Sequence, residues 1–544
     1  MPLRRITPEL VEANYASGAW QPRPLYSVVD DTARVRGDAP AVADQTERLT
    51  YAELVRRSHS LATWLLQQGL ESGATVALQT PNSISLAIMH LACDRADLVF
   101  LPLSSSWRGQ EIEHLLRVSG AKVVVVPPPT DDFDYFETVA AMRDRLPELE
   151  LVGTRGYRLP EADFDFDDVS TRQTAEVSRP RDPQAGRYIM VTSGTTDLPK
   201  MSLWTDNNLW FFMQCFIDAV EMTQDDVAVG LCPANTGATG YVFPVLAPML
   251  CGASSVLLEH WSPSAGLDLL ESERATVASA VPTQIIKMLQ VSDIGDRDFS
   301  HLRVFQNSGA AMPRDAAERL EDVFGCFCHV VYGATDGGTP TMTTTRDPVE
   351  KRWTTVGRPV VHSEVRLVDA LLNEVARGQS GEILWRSPSK DLGYVNEPEM
   401  TDAAFVEDGW YRSGDLGQLD DEGYLHIVGR AKDLIIRGGQ NISPAEIESL
   451  LFKHPKIDEV SVIGVPDPVY GERTCACVVP RPGVDVTLSD LTEFLEGLGV
   501  ATFKLPERIE LFEDLPRSAG GKITKVELRD SVAAREGDVT ATAG

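Results

Sequence analysis

The chain has 544 residues, 43% hydrophobic and 24% charged, enough for several cores at ~100–200 residues per domain and too apolar for wholesale disorder. Eighty acidic residues against 50 basic ones give a formal net charge of −30, which argues against a nucleic-acid partner and against an anionic membrane surface. Local basic sites for a nucleotide are untouched by that total. The start, Met1-Pro2-Leu3-Arg4-Arg5-Ile6, lacks the apolar stretch of a signal peptide, and no apolar run reaches the roughly 18–20 residues of a membrane span. A cytoplasmic enzyme is the expectation.

From Pro40 onward, strand-like runs alternate with helical patterns. Thr50-Tyr51-Ala52-Glu53 is a capping box that opens a helix towards Leu70. Val76-Ala77-Leu78 reads as a buried strand, Ser83 to Arg95 as a helix, and Val123 to Val126 as a strand covered on both faces. The alternation predicts an α/β fold of mostly parallel sheets covered by helices, with binding loops at the strands' carboxyl ends. Pro127 to Tyr135 and Glu161 to Gln184 read as surface loops. Asp163, Asp165, Asp167 and Asp168 in the second fit a solvated acidic loop, since no EF-hand spacing follows.

After the apolar run Tyr188–Val191 comes Thr192-Ser193-Gly194-Thr195-Thr196-Asp197-Leu198-Pro199-Lys200. Hydroxyls, a glycine and a lysine in nine positions can present N–H groups, O–H groups and an ammonium to a polyphosphate. It is not the Walker pattern, and an ordinary polar turn has the same composition. The eight cysteines hold no CxxC; Cys326/Cys328 and Cys475/Cys477 sit on strand-like runs with both thiols on one side, which fits buried core. Gly429 to Asp433 is the candidate boundary between a large domain, 1–429, and a small α+β domain, 430–544. Past it the chain restarts with Pro444-Ala445-Glu446-Ile447, a helix start with an early proline and acids in the first turn.

Four further segments follow the Thr192–Lys200 loop: Tyr332-Gly333-Ala334-Thr335-Asp336, Tyr411-Arg412-Ser413-Gly414-Asp415-Leu416, Gly429-Arg430-Ala431-Lys432-Asp433 with Arg437 to Pro444, and Leu515 to Ile523 around Lys522. In content and order the five resemble the signature segments of the acyl-adenylate-forming superfamily, which holds acyl- and aryl-CoA ligases, peptide-synthetase adenylation domains and luciferases. The resemblance runs from about Pro40 to Arg529. It implies an ATP-dependent acid ligase that makes an acyl adenylate, releases pyrophosphate and transfers the acyl group.

On that resemblance Thr192, Ser193, Gly194, Thr195, Thr196 and Lys200 hold phosphates. Ser308, Gly309, Ala310, Tyr332, Gly333 and Ala334 line the adenine side, and Asp415 and Arg430 take the ribose. Thr335 and Asp336 bind Mg2+, Lys432 is the hinge, and Lys522 bridges carboxylate and α-phosphate as catalytic lysine. The bland alternatives are a turn cap for Asp415, an Arg430–Asp433 pair, and a surface lysine in a glycine turn for Lys522. Asp336 stands where the family usually has Glu, one methylene longer. Asp197 and Met201 replace usual glycines and Asp206 a common histidine; an extra carboxylate near triphosphate is unfavourable unless a cation offsets it.

Asn235 resembles the amide of aryl-acid adenylating enzymes, with Trp210, Phe211, Phe212, Gly333 and Gly338 as further lining, which fits a flat, partly polar aryl or other cyclic acid. Asn235 capping its own turn is the alternative. CoA is the expected acceptor, then an amine or a separate carrier protein, since nothing after Lys522 leaves room for a fused one. A luciferase-like oxygenase and a non-catalytic nucleotide-binding relative are minor alternatives.

Overall fold

The computed structural model describes residues 7–192, 198–234, 237–406, 409–517 and 523–541, with side chains to 535. The chain divides into two compact units, one of residues 1–193, 198–364 and 385–411, the other of 194–197, 365–384 and 412–544.

In the first unit the strands are, in chain order, β1 (Pro40–Ala43), β2 (Arg48–Thr50), β3 (Thr75–Thr80), β4 (Val99–Ser104), β5 (Ala121–Val126), β6 (Leu151–Thr154), β7 (Phe164–Asp165), β8 (Gly186–Thr192) and β9 (Lys200–Thr205). They continue with β10 (Val227–Gly230), β11 (Ser254–Leu257), β12 (Val277–Ala280), β13 (Val304–Asn307), β14 (Phe327–Ala334), β15 (Gly338–Met342) and β16 (Arg358–Pro359). One sheet runs β7-β6-β5-β3-β4-β8-β9 and the other β16-β15-β14-β13-β12-β10-β11-β1-β2. The interior pairings are parallel, and antiparallel partners close the edges at β9, β2, β15 and β16. Parallel strands need covering on both faces, and the helices Tyr51–Gln67, Ser85–Ala96 and Asp206–Val220 supply part of it, the second buried along its whole length. The Thr50–Glu53 capping box starts the first of these as expected.

Glu161 to Gln184 is more than a loop. Phe164, Phe166 and Val169 bury, forming β7 and the helix Phe166–Thr171. Its aspartates are structural: Asp165 caps that helix through the Asp168 N–H, while Asp163 and Asp167 accept from the N–H groups of Val152 and Gly156. All eight cysteines are free, and Cys326, Cys328, Cys475 and Cys477 are buried. The last helix runs from Lys525 to Ala541.

In the second unit Ile457–Asp467 and Gly471–Pro480 form a long antiparallel pair, extended by the hairpin Ile435–Arg437/Gln440–Ile442 and by Arg508–Leu511. The helices Pro444–Leu451 and Leu488–Gly497 bury Ile447, Leu451, Leu491 and Leu495 in its core with Ile435, Val462 and Val478. Among the described residues no helix is long and apolar enough to cross a membrane.

Candidate active site

Strand β14 parts from β13 after Val330 and runs on, paired with β15, to Ala334, with Thr335, Asp336 and Gly337 in the turn between the two strands. The tightness is set by glycine. A Cβ on Gly333 would lie 2.4 Å from the Gly338 carbonyl oxygen, and one on Gly338, whose φ is +74°, 2.5 Å from that of Ser389. Gly338 is therefore a backbone requirement of the turn.

The turn is held from both sides. The Trp204 indole N–H reaches the Thr335 carbonyl at 3.0 Å, as does the Ser202 hydroxyl, which also contacts Asp391. The Asp336 carboxylate accepts from the Tyr394 hydroxyl on one oxygen and from the Tyr411 hydroxyl, at 2.9 Å, on the other. Burial pushes both phenols up, and the Asp336 charge adds to it, so both stay protonated donors. Burial, with Asp336 nearby, also holds the Asp391 carboxyl well above the usual range. A neutral Asp391 can donate to Ser202, freeing the serine proton for the Thr335 carbonyl. None of Ser202, Asp391 and Tyr394 was singled out from sequence, because each meets the turn across a long stretch of chain.

Each Asp336 oxygen keeps a free lone pair after serving one phenol, and Thr335 adds a hydroxyl. Hard oxygens from two residues suit Mg2+, which is commonly held by one or two protein ligands with phosphates and water completing its shell. No group of three His, Cys, Asp or Glu occurs among the described residues that would build an all-protein cage.

The helix Asp206–Val220 begins beside this turn. Trp204 stacks on Phe212 with centroids 6.0 Å apart, and Phe212 meets Phe243 edge-on at 5.2 Å. Trp210 is half-buried, whereas Phe211 packs with Ala19 and Trp20, on a different cluster from Phe212. Asp206 is fully engaged: Arg181 grips both its oxygens at 2.6 Å and reaches Asp94 at 3.0 Å. Arg181 thus offsets the extra carboxylate, from inside a stretch read as loop. Burial still pushes both carboxyls up, since they share this guanidinium.

Thr192 ends β8 and Lys200 begins β9, its ammonium 5.8 Å from the Tyr394 ring centre; Met201 is buried in β9. Ser308 is buried and hydrogen-bonded to Thr239, with Gly309 (φ +90°) and Ala310 exposed beyond it. In the second unit Asp415 and Arg430 face each other across a hairpin and pair at 2.5 Å; Lys432 is exposed just after. The expectations for Ser193, Gly194, Thr195, Thr196, Asp197, Asn235 and Lys522 fall outside the described residues.

Fold and site together define an adenylate-forming acid ligase. The AMP-binding enzyme model matches residues 29–395 and its C-terminal domain model residues 446–522, so the chain belongs to the AMP-binding enzyme family. It is 34% identical over 525 residues to a medium-chain fatty-acid–CoA ligase of Escherichia coli K12, covering 95% of this chain and 92% of the relative. It is 32% identical over 541 residues to a salicylyl-CoA synthase/salicylate adenylyltransferase of a Streptomyces species, covering 96% of both. Among solved structures, ATP-bound MatB from Rhodopseudomonas palustris matches with a TM-score of 0.85 and 29% identity, over 94% of this chain and 99% of that one.

Proposed function

We propose that the protein activates an aryl or other cyclic carboxylic acid with ATP, releases pyrophosphate and passes the acyl group to the thiol of CoA. The observation that carries the acid class is the aromatic column Trp204–Phe212–Phe243, which ties the Thr335–Asp336 turn to an apolar wall suited to a flat ring. The salicylyl-CoA synthase relative, matched end to end, supports the same class.

Both reactants are anions, so the site must neutralise charge and hold attack in line. In this reading Thr192, Ser193, Gly194, Thr195, Thr196 and Lys200 cradle the phosphates, and Lys522 spans the attacking carboxylate and the α-phosphate. Asp415 accepts from the ribose hydroxyls, and Arg430 fixes Asp415. Thr335 and Asp336 would hold Mg2+, which when bound neutralises phosphate oxygens. Gly429 to Asp433 is the proposed hinge between 1–429 and 430–544, with Lys432 as pivot, by which one site serves two half-reactions. A second reading replaces CoA with a neutral or cationic amine, favoured by the charge of −30, which repels the CoA polyanion at long range.

The test is mass spectrometry of products from ATP, magnesium and a panel of aryl, cyclic and fatty acids, each without acceptor, with CoA and with amines. Aryl-CoA product is expected; amide formation that ignores CoA would move the protein to the second reading, and a fatty-acid preference would overturn the acid class. Lys522→Ala should nearly abolish adenylate formation and leave transfer from supplied acyl adenylate largely intact. Equal loss of both would sink the lysine's assignment.

A further inference from the structure

Three adjacent strands carry a row of polar side chains that the described residues leave largely unsatisfied. Ser279 on β12 is in register with Gln306 on β13, and Gln306 with His329 on β14. All three are at most 1% exposed. The Ser279 hydroxyl and both ends of the Gln306 amide lack hydrogen-bond partners among the described residues, and the His329 ring has at most a marginal contact with the Thr343 backbone. Buried polar atoms left alone cost about 1–3 kcal/mol each, so native proteins keep few of them. Three in one row, beside a barely engaged imidazole, are a demand for a partner.

The direction in which the row faces is fixed by its neighbours. Gly230 extends the row on β10, and a Cβ placed there would lie 3.0 Å from Pro244 of the π-helix Ala238–Leu246. At the other end the His329 ring lies 5.4 Å from Phe216 of the helix Asp206–Val220. The row therefore faces the layer between the sheet and these two helices, the layer that also holds Phe212 and Phe243. Two residues on from Gln306, Ser308 bonds Thr239 of the same π-helix. π-helical turns widen a helix and concentrate at functional sites.

The dimensions suit an elongated acid. Neighbouring strands are ~4.8 Å apart, so Ser279 to His329 spans roughly 10 Å across, and three residues of β14 separate His329 from Tyr332, roughly 10 Å along the strand. Burial lowers the His329 pKa to about 3, against smaller opposing effects of Thr343 and Asp347, so the ring is neutral with one donor and one acceptor nitrogen. Gln306 likewise offers one of each kind.

Building on the aryl-acid reading above, we infer that the substrate carries a hydrogen-bonding group, such as a phenolic hydroxyl or an amide, at the end remote from its carboxylate, and that Gln306, flanked by Ser279 and His329, receives it. The substrate class is thus a polar-tipped extended aryl acid, of the length of a hydroxycinnamate or a bicyclic aryl acid. A site built to hydrogen-bond such a group rejects the analogue lacking it far more strongly than a hydrophobic pocket rejects an extra methylene.

The experiment compares 4-hydroxycinnamate with 4-methylcinnamate, and 6-hydroxy- with 6-methyl-2-naphthoate, by ATP–pyrophosphate exchange and by calorimetric binding of the free acid. The wild type should favour the hydroxyl member of at least one pair by tenfold or more in kcat/KM, on the order of a lost buried hydrogen bond. Gln306→Leu should erase or invert that preference while keeping exchange with the methyl acid, and its Tm should not fall, because two orphaned atoms are removed. Ser279→Ala, a smaller change, should weaken the same preference. Equal handling of hydroxyl and methyl acids by the wild type, or an unchanged preference in Gln306→Leu, would overturn the inference and leave ordered water as the row's occupant. A fall in Tm in Gln306→Leu with the preference intact would mean a structural role only. Exchange with fatty acids alone would overturn the aryl-acid reading itself, and hydroxyl-selective binding without exchange would separate the two claims.

Discussion

Replacing Arg181 with Met removes the cation that two buried carboxylates share. Arg181 is 1% exposed, and Asp94 and Asp206 are 2% and 6% exposed. Arg95, the nearest other guanidinium on the helix of Asp94, is committed to Asp30. Breaking a buried pair by removing one partner costs about 3–5 kcal/mol, because it strands the remaining charge. With a urea slope near ~3 kcal/mol/M, the midpoint of the first unit's transition should fall by about 1 M or more. Asp206→Asn on top of Arg181→Met relieves one of the two stranded charges and should restore roughly half of the loss. Without Arg181 both carboxyls rise further, so the folded state binds protons that the unfolded state releases, and the deficit should shrink as pH drops from about 7 to about 5. Since Asp206 opens the helix that carries Trp210 and Phe212, KM for the acid should rise as well. Urea unfolding followed by tryptophan fluorescence reads the first three effects, and pyrophosphate exchange the last. A midpoint shift below about 0.3 M, or a second substitution that adds its own loss, would refute the shared-cation account.

Tyr411→Phe leaves Asp336 with the Tyr394 donor; a bond to a charged group is worth about 1.5–3 kcal/mol, so exchange activity should drop about tenfold or more, with more Mg2+ needed for half-maximal rate. Gly338→Ala puts a methyl 2.5 Å from the Ser389 carbonyl at φ +74°, and its Tm and exchange activity should fall together, at a cost of roughly 1–3 kcal/mol in backbone strain alone. His329 has its folded pKa near 3, below the ordinary value of 6.5, so the unfolded chain takes up a proton first and stability is lost as pH falls from about 6.5 towards 3. His329→Gln should flatten that slope by up to about 1.4 kcal/mol per pH unit, visible as a Tm difference that moves in the variant's favour on acidification.

What was legible in the sequence is what is local. The Thr50–Glu53 capping box, the β-branched run of β5 and the strand–helix alternation each follow from a few neighbouring residues, and the parallel sheets follow from them. The motif segments were legible for the same reason, as contiguous strings. Long-range pairing was not legible. Arg181 sits in a stretch whose composition is that of a loop, and its burial is decided by Asp94 and Asp206, far apart in sequence. Likewise the aspartates of Glu161–Gln184 read as solvated until Phe164, Phe166 and Val169 are seen to bury, which brings Asp163, Asp165 and Asp167 against backbone N–H groups.

The replacement of the family's usual glutamate by Asp336 acquires a physical account from these long-range partners. A shorter carboxylate reaches less far and could swing less usefully towards a cation. Here it does not swing, because two protonated phenols hold one oxygen each. The preceding residue is fixed as well, with the Thr335 carbonyl shared by Trp204 and Ser202. Asp391 completes the arrangement only if it stays neutral, since a second carboxylate charge nearby would repel that of Asp336; its burial favours the neutral state. A fixed anion aimed by two donors loses less on binding a cation than a free one, because its orientation is already set. In the proposed Mg2+ role the loss of one methylene would be offset by this rigidity, and Tyr394 and Tyr411 are the residues on which that compensation would depend.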